Sequence, residues 1–282
     1  MDVNQLIELQ EFFERKGWTK FQGHKHALNR IGDLISTLNE EEQYLISQIL
    51  DRYLWAPNEE YNALFLRALN RMPPAKFEGI KNIIFIPISK KTDMGKIKSS
   101  LGIAYLSKAS FIKYYPRYEN LNIIPLKNHL VLQDKIDKGH INLQDSLIIY
   151  CDDFIGSGKT VKDCLTWVLS ECVLEIENIN ILGLVGMASG LSNISAKYQS
   201  CFFGETVQRA ITDYFNGSES IKYKDIMIEM ERDIDCHRDY SLGFKKSEAA
   251  VSMVRTPNNT FPIFWNSFKR KEPHCKPIFP RF

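Results

Sequence analysis

The sequence predicts an α/β fold, in which a central parallel sheet is flanked by helices and preceded by a helical region. From residue 80 onward, apolar runs of strand length alternate with helical stretches, as is typical of parallel sheets with covering helices. Before residue 80, apolar side chains recur at helical spacing. Ligands of such sheets bind beyond the carboxyl ends of the strands, so a functional site is expected there.

The first 79 residues predict four helices. Leu6, Leu9 and Phe13 repeat at helical spacing in the first, and the second covers residues 24–37. Asn39 can cap the third, because Glu42 follows it at the spacing of a capping box. The fourth covers residues 59–71. We therefore predict an N-terminal helical region over 1–79, for partner docking or for covering the site, and an α/β domain over 80–282.

The α/β domain begins with a strand over residues 82–88, followed by a polar loop and a helix that runs to about residue 107. Further strands are predicted over 122–125, 147–150, 179–187 and 201–204. A helix over residues 161–171 follows the third of these five strands, which gives the repeated strand and helix units of a parallel sheet.

The most informative segment is residues 146–160, SLIIYCDDFIGSGKT. An apolar strand leads into Asp152 and Asp153, and a glycine-rich turn opens a helix. Backbone N–H groups in such a turn can cradle a phosphate, helped by the helix N-terminus. Carboxylates beside a phosphate are tolerable where they accept hydrogen bonds from sugar hydroxyls or act through a divalent cation. A ribose 5-phosphate would satisfy all these groups.

Two other interpretations of this segment remain. The triplet Gly158, Lys159, Thr160 matches the end of a P-loop, but the position of the first glycine of that motif is occupied by Asp153, whose charge would face the phosphates. The segment could also be a structural turn without a ligand.

At these residues the chain resembles the type I phosphoribosyltransferases, whose signature has apolar residues, two acidic residues, two further apolar residues and a small-residue loop. Two departures are the bulky Phe154 and the glycine at 156. The resemblance implies a type I phosphoribosyltransferase-like fold, with Asp152 and Asp153 as catalytic residues that bind the ribose hydroxyls of phosphoribosyl pyrophosphate, directly or through Mg²⁺. It also implies a 5-phosphate loop formed by Ile155, Gly156, Ser157, Gly158, Lys159 and Thr160.

A second loop supports this resemblance. Residues 89–96 are small, polar and cationic, and they follow the strand over 82–88. Type I phosphoribosyltransferases hold the donor pyrophosphate on a loop at this place, so Ser89, Lys90 and Lys91 are expected to do so here. Lysines would stabilise the charge that grows on the leaving group. The alternative is a solvated surface loop.

Near the C-terminus, residues 257–265 join turn residues to an aromatic cluster. With the motif, this C-terminal box resembles phosphoribosyltransferase-like proteins of bacterial conflict systems, some of which accompany retron reverse transcriptases as antiphage effectors. The box is expected either to pack as a closing segment or to contribute to the acceptor pocket. The narrower resemblance implies a partner protein or ribonucleoprotein, which the N-terminal helices would bind.

The implied activity is transfer of phosphoribose from phosphoribosyl pyrophosphate, with Mg²⁺, to an acceptor that the sequence does not identify, or hydrolysis of the donor. A non-catalytic sensor of phosphoribosyl pyrophosphate or of a nucleotide is the main alternative, and a scaffold with a vestigial pocket is another. The carboxylates and the cationic loop favour an enzyme, because a sensor could dispense with the residues that bind the pyrophosphate.

Composition is consistent with a cytoplasmic enzyme. The chain has 282 residues, of which 44% are hydrophobic and 25% charged. No segment reads as a membrane span or a signal peptide. Six cysteines lack metal-site spacing, which favours reduced thiols. The net charge of +2 gives little general attraction to nucleic acid, so such contact would need the basic tail from Lys269 to Arg281. Oligomerisation stays open.

Overall fold

The computed structural model describes residues 3–93, 95–172, 174–195, 200–234, 236–267 and 276–281. The helices are α1 Val3–Arg15, α2 His24–Ser36, α3 Glu40–Arg52, α4 Asn58–Asn70, α5 Ser99–Leu106, α6 Pro116–Glu119, α7 His129–Asp137, α8 Lys159–Glu171, α9 Ala188–Ser195, α10 Gly217–Arg232 and α11 Pro262–Trp265. The strands are β1 Leu54–Trp55, β2 Asn82–Pro87, β3 Asn122–Pro125, β4 Ser146–Ile155, β5 Ile179–Met187, β6 Cys201–Val207 and β7 Val251–Ser252. Short 3₁₀ turns connect several of them.

The chain divides into two compact units. One comprises Met1–Glu60 with Val207–Phe282, and the other is Tyr61–Thr206. This division differs from the boundary predicted between residues 79 and 80, because residues 207–282 belong with α1–α3 rather than with the strands of the sheet.

The unit over 61–206 is built on a five-stranded parallel sheet in the order β3-β2-β4-β5-β6. Its central register pairs Ile84 with Ile148, and Ile148 with Ile179. The chain moves from β2 outwards to β3 and then crosses back to β4 on the other side of β2. The predicted α/β fold with a central parallel sheet and flanking helices is confirmed.

The sheet forms because its central strands are apolar enough to be covered on both faces. Every residue of β5 is buried, as are residues 83–87 of β2. Apolar side chains of α8, such as Leu165 and Val168, join the strand residues Ile84, Ile148 and Ile181 in one buried cluster. Full burial of each such side chain contributes about 1.5–3 kcal/mol, so this cluster fixes α8 against the sheet.

The other unit has its own core, to which both of its chain segments contribute. Tyr53 packs against Phe264 and Phe279, with ring centroids 4.9 Å away in each case. The strands β1 and β7 pair in parallel, with Leu54 beside Val251. A capping box at Asn39 and Glu42 begins α3 as predicted, because each side chain accepts a backbone N–H of the other residue.

The C-terminal box, residues 257–265, lies in this second core. Phe261 and Phe264 are fully buried, and the Trp265 indole donates to the carbonyl oxygen of Thr260 at 2.8 Å. The box therefore packs as a closing segment of its unit. A role in an acceptor pocket stays a prediction.

The described residues contain no helix with the length and apolar character that crossing a membrane requires. Five of the six cysteines fall in the described part of the chain, and these are free thiols. Most of the basic tail, including Lys269, Lys271 and His274, lies outside the described residues.

Candidate functional site

The candidate site lies at the carboxyl edge of the sheet, where β2 and β4 end side by side. Their pairing stops at Pro87 and Cys151, and the loop over residues 88–98 and the turn over 156–158 follow. The connections of β2 and β4 leave in opposite directions along the sheet. This reversal is the topological switch point at which α/β sheets bind their ligands.

Asp152 and Asp153 belong to β4 itself, because the strand continues to Ile155 instead of stopping at Tyr150. Beyond Cys151, β4 has lost its partner β2 but still pairs with β5, up to Ile155 beside Gly186. The two carboxylates therefore stand where one side of β4 opens at the switch point.

Asp153 is held in place by several donors. It is 8% exposed, and its Oδ1 accepts the Phe154 N–H at 2.9 Å and the Ser99 hydroxyl at 2.8 Å. The Tyr61 hydroxyl approaches Oδ2 at 3.4 Å. The Oδ1 of Asp152 accepts the Asp153 N–H at 3.0 Å, and the Asp152 side chain also forms a hydrogen bond with that of Asp153.

The two carboxylates also influence each other. Burial, followed by the negative charge of Asp153, raises the pKa of Asp152 well above its usual range, and the charge of Lys98 opposes this shift. Two adjacent carboxylates concentrate negative charge that a sugar hydroxyl, a cation or a proton would relieve. The pair is thus suited to bind a polyhydroxylated ligand or a cation.

The turn after β4 depends on two glycines, Gly158 in the turn and Gly190 in α9. Gly158 has a φ of 75°, in the left-handed region, and it is the N-cap of α8. A Cβ at Gly158 would come within 2.7 Å of the Ile194 side chain, and one on Gly190 of α9 would lie 1.7 Å from the carbonyl oxygen of Gly156. Close packing of α9 against the turn therefore fixes the backbone that precedes the N-terminus of α8.

One acidic residue joins the two predicted phosphate loops. Asp163, one turn into α8, accepts Lys90 Nζ at 3.0 Å and Lys159 Nζ at 3.2 Å. These lysines belong to the predicted pyrophosphate loop and the predicted 5-phosphate loop. The backbone of Ser89 also forms a hydrogen bond with the thiol of Cys164, so the start of the predicted pyrophosphate loop lies against α8.

Lys91 points elsewhere. Its Nζ pairs at 2.8 Å with Glu171, the last residue of α8. A helix of 13 residues is about 20 Å long, so this pair lies at the far end of α8 from Gly158. The structure thus brings Lys90 to the switch point but leaves Lys91 away from it.

Comparison with known proteins bears on this site. The sequence model of the PRTase-CE family matches residues 35–281, which covers most of the chain and reaches into both compact units. The chain belongs to the PRTase-CE family. The predicted relation to phosphoribosyltransferases is confirmed at this level, and the protein is of the phosphoribosyltransferase type in general. No curated protein matches the sequence.

In this PRTase-CE protein, several residues of the site were missed by sequence reasoning. Ser99 and Tyr61 contact Asp153 from 54 and 92 residues away in the chain. Lys98 donates at 2.7 Å to Asp93, which also accepts the backbone N–H of Lys90 at 3.3 Å. The burial of Asp93 raises its pKa, but the bonds from Lys98 and Lys90 outweigh this and lower it overall. Asp93 thus folds the predicted pyrophosphate loop back on itself.

Only Lys98 had a signal in the sequence, because it extends the cationic run of that loop by two residues beyond Lys96.

Proposed function

We propose that the protein uses phosphoribosyl pyrophosphate and Mg²⁺ to transfer phosphoribose to an acceptor, or to water. The observation that carries the proposal is the meeting of three features at one switch point: the Asp152 and Asp153 pair, the glycine turn that opens α8, and Lys90 on the adjacent loop. Together these features offer partners to the ribose, the 5-phosphate and the pyrophosphate of the donor.

Each part of the donor has a proposed binding group. Backbone N–H groups of residues 156–160 bind the 5-phosphate at the N-terminus of α8. Asp152 and Asp153 accept hydrogen bonds from the ribose hydroxyls. Lys90 and Lys98 bind the pyrophosphate and stabilise its charge as it leaves. Ser89 is the neighbour of Lys90 in this loop. Lys91 would have to break its ion pair with Glu171 before it could bind the pyrophosphate.

The carboxylate pair fits Mg²⁺ in its chemistry, since this ion prefers oxygen ligands. Among the described residues no cluster of three or more His, Cys, Asp or Glu side chains could hold a metal. Mg²⁺ would therefore be held by Asp152 or Asp153, directly or through water, with its other ligands coming from the donor. When bound, it supplies neutralisation of the charge on the leaving pyrophosphate.

The reaction is a substitution at the anomeric carbon of the ribose. The bond from this carbon to the pyrophosphate oxygen breaks, and pyrophosphate leaves with the electron pair. An acceptor nitrogen or oxygen forms the new bond and loses its proton to solvent. The residues of the protein hold the donor in line and neutralise charge, so positioning contributes most of the rate.

The test is pyrophosphate release from the purified protein with Mg²⁺ and phosphoribosyl pyrophosphate, with and without pooled bases, nucleotides and nucleic acid. Asp153→Asn and the Asp152→Asn, Asp153→Asn double variant should lose at least about a hundredfold in rate, because they lose the charge that orients the donor. Their thermal midpoints should stay near that of the parent.

Asp134→Asn is the matched control, since Asp134 is an exposed acid on α7 paired with Lys138. It should release pyrophosphate at the rate of the parent. A large fall in the thermal midpoint of Asp153→Asn would instead make the pair structural. Release that persists in the double variant would contradict the proposal.

A non-catalytic sensor is the second candidate. The ion pairs that engage Lys90 with Asp163, and Lys91 with Glu171, favour it, because both lysines already have acidic partners. Donor binding measured by calorimetry, without pyrophosphate release under any condition including added candidate partners, would support either the sensor or an effector that is silent until its partner acts.

We also propose that the protein acts in the bacterial cytoplasm as an antiphage effector of a retron-type system, with its activity gated by a partner. The resemblance of the motif and C-terminal box to conflict-system proteins supports this. The docking surface proposed for a partner protein or ribonucleoprotein is α1, which exposes Val3, Leu6 and Ile7. Nucleic acid could be bound by the basic tail, of which Lys276 and Arg281 are described.

Phage plating on cells that carry the complete system tests this role. The parent should reduce plaque formation, and Asp153→Asn should not. Equal protection by both would separate the defence role from phosphoribosyl transfer.

A further inference from the structure

Ser99 has an unusual combination of exposure and contact. It is exposed to solvent, yet its hydroxyl donates at 2.8 Å to the buried carboxylate of Asp153. It is the first residue of α5, and no side chain caps this helix at Lys98. The Ser99 hydroxyl is thus committed to a carboxylate of the candidate site rather than to its own helix.

The position of Ser99 is fixed by the elements around it. The next residue, Ser100, is buried, and its hydroxyl donates to the carbonyl oxygen of Ile88 at 3.2 Å. This bond joins the start of α5 to the end of β2, and α5 packs against both β2 and β4. Ser99 therefore approaches Asp153 from a rigid support.

The contact with Ser99 helps to fix the orientation of the Asp153 carboxylate. A carboxylate oxygen has about two acceptor sites, and those of Oδ1 are taken by the Ser99 hydroxyl and the Phe154 N–H. Oδ2 has the longer contact of 3.4 Å with Tyr61. The carboxylate is thereby held with Oδ1 towards Ser99 and Oδ2 towards Tyr61, and loss of the Ser99 hydroxyl would remove the shortest of these contacts.

We propose that Ser99 is a positioning residue: its hydroxyl holds the Asp153 carboxylate in the orientation that receives the ribose hydroxyls of the donor. This inference rests on the proposed function. The N-terminus of α5, which follows the predicted pyrophosphate loop, would thus also help to bind the ribose.

The test compares two ligands, because Asp153 should contact only one of them. Phosphoribosyl pyrophosphate contains the ribose, and inorganic pyrophosphate does not. Calorimetry with Mg²⁺ should show that Ser99→Ala binds the donor about tenfold or more weakly than the parent, since a misoriented carboxylate loses its aligned contacts. Inorganic pyrophosphate should bind both proteins equally. Ser99→Thr keeps the hydroxyl, and the exposed site has room for a methyl group, so it should bind the donor nearly as the parent does.

Ser107→Ala is the control for the stability of α5. It removes a buried serine hydroxyl bonded to the carbonyl oxygen of Ala104 at the other end of the helix, and it should leave donor affinity unchanged. The thermal midpoint of Ser99→Ala should stay close to that of the parent because the side chain is exposed.

Three results would overturn the inference while the proposed function stands: unchanged donor affinity in Ser99→Ala, an equal loss for donor and pyrophosphate, or tighter donor binding. The last would mean that the hydroxyl occupies the place of a ribose hydroxyl. If the parent binds neither ligand, the proposed function itself fails and the inference fails with it.

Discussion

Two neighbouring lysines in the loop after β2 show how strongly local pairing distinguishes residues that look equivalent in sequence. Lys90 and Lys91 have the same charge and the same side-chain length. Lys90 reaches Asp163 near the N-terminus of α8, and Lys91 reaches Glu171 at its C-terminus. The helix dipole gives the two ends of α8 opposite partial charges, and only the N-terminal end adjoins the carboxylates of the site.

This difference predicts unequal effects of two identical substitutions. Lys90→Ala should weaken binding of inorganic pyrophosphate with Mg²⁺ by about tenfold, because it removes a charge-assisted bond at the switch point. Lys91→Ala, its matched control, should bind within about twofold of the parent, because it removes an exposed ion pair of small energetic value.

Calorimetry at fixed ionic strength would measure both affinities. Equal losses in the two variants would show that Lys91 leaves Glu171 on binding, and the assignment of the pyrophosphate to Lys90 but not to Lys91 would then be wrong.

At the scale of elements, the fold could be predicted where one stretch of sequence determines the element. The apolar runs of β3 and β5 gave their bounds, and the cap at Asn39 gave the start of α3. The extent of β4 could not be predicted, because Asp152 and Asp153 interrupt its apolar run and its last residues stay in the sheet by pairing with β5. Pairing between strands depends on the whole sheet, not on local composition.

The same distinction applies to the candidate site. The carboxylate pair and the glycine turn are contiguous in sequence, so their pattern was recognisable. Tyr61 reaches the site through the packing of α4, and nothing adjacent to it in sequence signals this. Ser99 and Asp163 lie close in sequence to the two predicted phosphate loops, but their contacts with Asp153 and Lys90 depend on packing between distant elements. The predicted domain boundary differs from the compact units for a related reason, since helical spacing does not indicate which distant segment completes a core.

The packing of α9 against the glycine turn leads to a prediction about two glycines. Gly190→Ala would place a methyl carbon 1.7 Å from the carbonyl oxygen of Gly156. Such overpacking against backbone should cost about 1–3 kcal/mol of unfolding free energy. It should also weaken donor binding, because the turn proposed to cradle the 5-phosphate must shift.

Gly102→Ala is the matched control. Gly102 lies inside α5, and a Cβ there would meet no atom within 4 Å. This variant should gain up to about 1 kcal/mol through the higher helix propensity of alanine. Chemical denaturation would measure both changes. A Gly190→Ala protein as stable as the parent would show that α9 can move away from the turn.

At the scale of the whole molecule, the main feature is a compact unit made from both ends of the chain. The backbone N–H groups of Leu54 and Ala56 donate to the carbonyl oxygens of Ala250 and Ser252, at 2.9 and 2.7 Å. The aromatic core of this unit also combines rings from both segments, as between Trp18 and Phe279. The PRTase-CE match begins within α2 and ends at residue 281, so the family pattern includes both segments.

This architecture predicts that residues 1–79 do not fold alone, although their helices look separate in sequence. Without residues 207–282, the fragment loses the partner strand of β1 and much of the apolar surface that covers Tyr53. Amphipathic helices without a partner surface are marginal in water.

An isotope-labelled fragment 1–79 should therefore give the narrow NMR spectrum of an unfolded chain, and unlabelled fragment 207–282 should disperse it. Fragment 207–282 carrying Phe264→Ala should do so less well, because Phe264 is fully buried against Tyr53. A dispersed spectrum of 1–79 alone would instead support an independent N-terminal domain.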